Sequence, residues 1–447
     1  MRAPFAHWMI DQEARALLVR LQRVKPFVLN EPMLLAAALT PQAQIAIERV
    51  LADGRKELKG RIAAFLGWLR SGEGQAATPE EAHRRYVFLR LRFNAVLSQL
   101  DLFNQVITQR SETEQGVLLS GLDIVCADAL ALPDYYEAPP VICHLDRGVG
   151  AAIRRARTRL PGGAENPVAV VRVPRERMIG SGVASSLIHE VGHQGAALLG
   201  LVDSYRPVLQ DAGAQAADPA MWELWTRWIS EIVSDFWSIA RVGVVSTIGL
   251  MGVVGLPRPF VFRPNFDDPH PTPWVRVKLS CAIGAALYPH PQWGRLAALW
   301  ESYYPLGALP QPQAALMRRL EAEIPPFVET LVSHRPPSLR GKTLAQALDI
   351  GTRTPARLSA LFARWSAEPG LMYRAPPALP FAVLGQAKAA GRLGPEEEAA
   401  LLTKLLTYWA MRSTLDAAAN CPPPLPAPHP IAPPPARRTL TKQEEWT

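Results

Sequence analysis

Residues 181 to 201 form an apolar stretch, SGVASSLIHEVGHQGAALLGL, with two histidines and a glutamate at its centre. Ser181-Gly182 is a helix start, and the apolar texture predicts a helix running through Leu201. Two imidazoles and a carboxylate are costly to bury in such a helix unless each is satisfied. His189 and His193 stand four residues apart, so both rings project from one helix face and can share one metal ion. Glu190 sits beside the first histidine, where it can take a proton from a water activated by that ion. This spacing points to zinc, with His189 and His193 as ligands and Glu190 as general base. The competing reading is a pair of core histidines held by ordinary hydrogen bonds.

A catalytic zinc takes three protein ligands and keeps one open position. A histidine at 199 would complete a metzincin-type pattern, but that residue is leucine. Downstream, a helix is expected from Met221 to about Arg241, and in WISEIVSDFW two carboxylates stand four apart among Ile, Val, Phe and Trp. Ligation by Glu231, with Asp235 fixing a ligand histidine, gives these charges a reason to be buried. The alternative is a solvent-facing pair on an amphipathic helix. Asp203 is the second choice as third ligand, and Glu223 the third.

Further along, DDPHPTPWVRV contains His270-Pro271 followed by Arg276. Together, H-E-x-x-H, E-x-x-x-D and H-P-x-x-x-x-R resemble the gluzincin arrangement of thermolysin-like enzymes. The last two motifs are most similar to those of Ste-type prenyl-protein endopeptidases and HtpX-type membrane proteases, with Ser234 where that family has alanine. The resemblance covers roughly residues 183 to 280. It implies a zincin-like core and a zinc metallopeptidase, a hydrolase. It also implies metal ligation by His189, His193 and Glu231, base chemistry by Glu190, and supporting roles for Asp235, His270 and Arg276. In that scheme His270 donates to the oxyanion, with Tyr205 as the other candidate, and Arg276 holds Asp235 or Glu231. Pro271 and Pro273 argue against one continuous helix across His270 and Arg276 and place a turn between them. A second pair, His290-Pro291, has the wrong spacing to Arg295 and reads as a structural loop.

The fold class expected around these motifs is α+β, mainly α-helical, with a small sheet. Residues 1–115 read as a helical N-terminal region, with Ala14, Leu17, Leu18 and Leu21 in helical period and a polar break at Ser71 to Thr78. Residues 116–310 form the metallopeptidase core. Their β-prone runs are Leu122–Cys126, Val141–Cys143 and Val168–Val173. The last is either a sheet edge that pairs with substrate or an ordinary core strand. Residues 311–420 are a helical C-terminal region, and 421–447 a Pro-rich, disordered tail.

The net charge of +8 comes mostly from Arg dispersed among acidic residues, which argues against nucleic acid as a partner. Cys126, Cys143, Cys281 and Cys421 show no C-x-x-C spacing, so they read as thiols rather than a disulfide scaffold or a sulfur-ligated metal site. The most apolar stretch, Val242 to Leu256, is too short to span a bilayer, and the N-terminus does not read as a signal peptide. The expected setting is cytoplasmic. The expected partner is a peptide or protein substrate, with a protein partner at the helical flanks or the tail as a further expectation. A catalytically silent zinc-binding module acting in binding or assembly is the alternative function.

Overall fold

The computed structural model describes residues 2–27, 32–147, 150–160, 163–174, 179–264 and 267–420. The expected tail and Cys421 lie outside the described residues. Three long helices, α1 (Arg2–Gln22), α2 (Pro41–Arg70) and α3 (Pro79–Thr108), pack on one another at the N-terminus. Ala14, Leu17 and Leu21 meet Leu58, Ile62, Phe65 and Phe93 in their shared core. The polar break between α2 and α3 does local work. Thr78 accepts a hydrogen bond from the Glu81 amide, and Pro79 occupies the first helical position, where its missing N–H costs nothing.

α4 (Thr113–Leu130) leads into a three-stranded sheet of β1 (Val141–Asp146), β2 (Ala152–Arg154) and β3 (Ala169–Pro174). Its order is β1-β3-β2, with β1 parallel and β2 antiparallel to β3. The run Leu122–Cys126, expected as a strand, lies inside α4. A short, largely apolar run fits a buried helix as well as a strand, and here the helix wins. Asp123 shows why it is tolerated there. Its carboxylate accepts from the Cys143 amide at 2.6 Å and pairs with the fully buried Arg110 at 3.0 Å, tying α4 to β1. β3 pairs on both sides, so the sheet-edge reading of Val168–Val173 is excluded and β2 holds that edge.

The segment with the two histidines forms α5 (Ser181–Leu198), three residues shorter than expected. Gly200 takes the left-handed conformation (φ 59°, ψ 30°) that ends a helix, and α6 (Leu201–Ala214) starts directly after it. The single helix expected from Met221 to about Arg241 is two, α7 (Pro219–Arg227) and α8 (Ile229–Val242), divided at Trp228. Ser230 apart, every residue of α8 is buried, so Glu231 and Asp235 are not a solvent-facing pair. α9 (Val244–Val254), α10 (Pro273–Leu287) and α11 (Gln292–Tyr303) follow. The C-terminal helices are α12 (Gln311–Ala322), α13 (Ile324–Ser333), α14 (Pro355–Ala367), α15 (Ala378–Ala389) and α16 (Pro395–Ala419). One buried apolar cluster extends from Leu118 to Trp409 and draws on all of these segments.

Two glycines set the distance between α5 and α8. A Cβ at Gly192 would stand 3.0 Å from both Ser234 Cα and Trp237 Cβ, and one at Gly195 would stand 2.6 Å from the Trp237 ring. Trp237 is fully buried, and its indole N–H donates to the Ala129 carbonyl at 3.1 Å, so the ring has nowhere to go. Gly195→Ala is therefore expected to cost about 1–3 kcal/mol of stability through overpacking, read from chemical denaturation. Metal affinity should fall with it, because the histidines move away from α8. Unchanged stability would show that the two helices tolerate a wider separation.

Candidate metal centre

Close contact of α5 with α8 brings three side chains to one point. His189 Nε2 lies 3.2 Å from Glu231 Oε2, and His193 Nε2 lies 3.3 Å from Glu231 Oε1. The two imidazoles stand at 88° to one another with centroids 4.9 Å apart. One ligand atom from each of His189, His193 and Glu231 lies within 4.8 Å of the others. Zinc bonds of about 2.0–2.1 Å at tetrahedral angles separate donor atoms by about 3.3 Å. Each imidazole nitrogen stands close to that distance from a different Glu231 oxygen, and the donor set of two imidazoles and a carboxylate suits zinc.

Around these donors lies a layer of charge that orients them. Asp235, one turn after Glu231, places Oδ1 at 2.8 Å from His189 Nδ1. Such a carboxylate directs the opposite nitrogen, Nε2, towards the metal. Arg276, on the first turn of α10, grips Asp235 with two hydrogen bonds, Nε to Oδ2 at 2.8 Å and a terminal N–H to Oδ1 at 2.9 Å. The same terminal nitrogen donates to Glu231 Oε2 at 3.2 Å. Ser230 Oγ lies 3.4 Å from His193 Nδ1. Two buried carboxylates thus face one guanidinium, and the second carboxylate needs a further positive charge, from a protonated His189 or a bound cation.

The ionisation of these groups follows from this arrangement. Burial works to raise the Glu231 carboxyl, but His189, His193 and Arg276 outweigh it and hold Glu231 far below the usual carboxylate range. Asp235 settles at about 2, with burial again overcome, chiefly by Arg276 and His189. For His189 burial disfavours the charged ring, yet the carboxylates of Asp235 and Glu231 raise it from 6.5 to about 9. The metal-free protein therefore holds this imidazole protonated at neutral pH. A raised folded-state value stabilises fully below 6.5, and that contribution is lost as pH rises through about 9. Zinc needs the neutral ring, so binding must expel the proton. Calorimetric titrations at pH 7 in buffers of different ionisation enthalpy should report about one proton released per zinc. Affinity should climb as pH approaches about 9. Binding without proton release would contradict this resting state.

His270 sits in the turn before α10, which starts at Pro273, and the packed residues expected after the turn, Trp274, Val275 and Val277, are buried. It is half-exposed, and its Nε2 lies 3.3 Å from Glu231 Oε2. Asp268, which sequence reading missed, holds it from behind, with Oδ1 2.5 Å from His270 Nδ1 and accepting the His270 amide at 3.0 Å. A second missed residue, Glu398 of α16, is buried at the start of α5. It accepts hydrogen bonds from the Ser181 amide at 3.4 Å and from the Ser181 hydroxyl, and Lys388 Nζ pairs with it at 2.6 Å. A carboxylate there satisfies a free amide and complements the positive end of the helix. Glu190 and His270 line a cavity of about 600 Å³ together with His189, Asp235 and Arg276.

The remaining candidates lie elsewhere. Asp203 is exposed and pairs with Arg206 at 3.3 Å, and Glu223 is exposed on α7, so neither joins the cluster. Tyr205 is fully buried and donates its hydroxyl hydrogen to the Leu331 carbonyl at 3.0 Å, which commits it away from any oxyanion. His290 Nδ1 accepts from the Gln292 amide at 3.2 Å, stabilising the turn into α11. Cys126, Cys143 and Cys281 are buried and free, the first two with their sulfurs 3.8 Å apart. Among the described residues, no helix is long and apolar enough to cross a membrane. Compared with protein-family models, with curated proteins and with solved structures, the chain matches none.

Proposed function

We propose that this protein is a zinc-dependent endopeptidase with a zincin-like core. The observation that carries the reading is the convergence of His189, His193 and Glu231, with His189 and the neighbouring Glu190 lining an open cavity. When bound there, zinc would supply a Lewis acid that acidifies water and polarises a peptide carbonyl. The protein's own groups do the rest. Glu190 takes the proton from the attacking water and passes it to the leaving nitrogen as the C–N bond breaks. His270, oriented through Asp268, donates a hydrogen bond to the carbonyl oxygen as negative charge develops on it. Asp235 and Arg276 keep His189 and Glu231 in place throughout.

The sheet supports the same reading. β2 is the antiparallel edge strand, and the residues just before it, Gly150 and Ala151, line the cavity. An extended peptide adding to that edge would lay its backbone across the zinc helix. Free, buried cysteines suit a reducing compartment, and the cytoplasm is the location we assign. The test is cleavage of a mixed library of unfolded peptides by the zinc-loaded protein, with chelator and re-added zinc as controls. A protein that holds zinc and cleaves nothing would instead be a zinc-binding module for binding or assembly.

A further inference from the structure

Glu231 lies in the first turn of α8; at the other end of that helix the fold buries two positive charges together. Arg241 is in the last turn of α8, and Arg353 ends a short helical turn, Ile350–Arg353, that packs against the same helix. Arg241 is 9% and Arg353 8% exposed, so more than nine-tenths of each is out of water. Arg241 donates to the Ala131 carbonyl at 2.6 Å and has its guanidinium 5.7 Å from the centre of the Trp237 ring, but its Nε is buried without a partner. Arg353 also has a buried, unpartnered Nε, and it makes no hydrogen bond or ion pair among the described residues.

The surrounding groups do not answer this charge. Asp128 attracts both arginines without pairing with either, and its Oδ2 accepts from the Ala378 amide at 2.9 Å. Asp349 attracts Arg353 from an exposed position. Tyr136 and Tyr288 give their hydroxyl hydrogens to the Leu130 and Ala240 carbonyls, and burial pushes both phenols well above their usual range, so neither supplies a negative charge. Burial first, and then the charge of Arg353, pull Arg241 from 12.5 down to about 10, and burial lowers Arg353 as well. Both still remain cations at neutral pH. A buried guanidinium is costly unless it is paired, and two of them held together by the fold call for an anion.

We infer that Arg241 and Arg353 form a binding site for a small tetrahedral oxyanion, inorganic phosphate or the phosphoryl group of a small ester, separate from the metal centre. Guanidinium forks match the oxygens of such a group with paired, charge-assisted hydrogen bonds. A dianion offsets both charges at once and ties the end of α8 to the turn Ile350–Arg353. Chloride carries a single charge and cannot accept from both forks in this way.

The test is thermal melting of the full-length protein in inorganic phosphate against sodium chloride at matched ionic strength. Phosphate is kept to about 10 mM or less, where its general exclusion from protein surfaces contributes little. It should raise the melting temperature by about 2 °C or more and the rise should saturate, whereas chloride gives no such rise. Arg353→Met keeps the length of the side chain and removes the unpaired charge. In chloride it should melt no lower than the wild type, and its phosphate shift should disappear. Arg353→Lys keeps the charge without the fork and should shrink the shift. Zinc can itself hold phosphate, so only the part of the shift lost in Arg353→Met at unchanged zinc content counts for this site. A wild-type shift no larger in phosphate than in chloride would overturn the site, as would a shift kept in full by both variants. Should the Met variant not fold, a full shift in Arg353→Lys overturns the site and a reduced one supports it. Calorimetry on the wild type then names the source: free anion if phosphate binds tighter than phenyl phosphate, an ester if the order is reversed.

Discussion

Replacing Glu190 by Gln is expected to leave zinc content and melting temperature unchanged while lowering peptide turnover by about a hundredfold to ten-thousandfold. The substitution keeps the size of the side chain and one of its oxygens but removes the group that accepts a proton. Glu190 is half-buried at the cavity wall, next to His189 and outside the group His189, His193 and Glu231 that could hold a metal ion, so its loss should not open the proposed site. Single-turnover rates on the best library peptide, with zinc measured on the same samples, give the comparison. If E190Q turned over like the wild type, the base would be some other group and the proposed mechanism would fall, even with the metal in place.

Loss of any one of His189, His193 or Glu231 to Ala should weaken zinc binding by about a hundredfold or more, since replacing only an outer partner of a ligand already costs about ten- to a hundredfold. Glu231→Ala should be the most damaging of the three to the apo protein as well. It removes the acceptor shared by His189 and the buried Arg276, leaving those donors without it. Asp203→Ala is the control and should bind zinc like the wild type, because Asp203 is exposed on α6 and pairs with its neighbour Arg206. Competition against a chromophoric chelator measures all four. Wild-type affinity in Glu231→Ala would show that the third ligand lies elsewhere.

What could be read from the chain alone depended on how local each signal was. His189, Glu190 and His193 sit within five residues on one helix, so helical period alone puts them together. Glu231 and Asp235 were legible for a related reason, as two charges in a segment otherwise too apolar to face water. The prolines at 271 and 273 announced the turn that lets His270 and Arg276 approach from a third direction. Glu398 was not legible, because it reaches Ser181 across 217 positions of chain. Asp268 is only two residues from His270, but an Asp-Pro-His sequence is an ordinary surface turn until the fold shows what the histidine faces. β2 has three residues, too few for any alternation, and so the antiparallel edge went unseen and β3 was a candidate for it. The strand expected at Leu122–Cys126 failed because apolar runs of that length carry no period, and only the buried partners of Asp123 and the packing of Gly121 against Leu406 select the helix.

We propose that α5 and α8 hold one zinc through two imidazoles and one carboxylate. X-ray absorption at the zinc edge, on protein purified with its own metal, addresses it most directly. The expected result is one zinc per chain with two imidazole nitrogens at about 2.0–2.1 Å, a carboxylate oxygen and one further light-atom ligand, and no sulfur. The imidazole signal should disappear in the His189→Ala, His193→Ala double variant. Protein that arrives without zinc and takes none up, or zinc in a sulfur-containing shell, would rule out a site made by His189, His193 and Glu231.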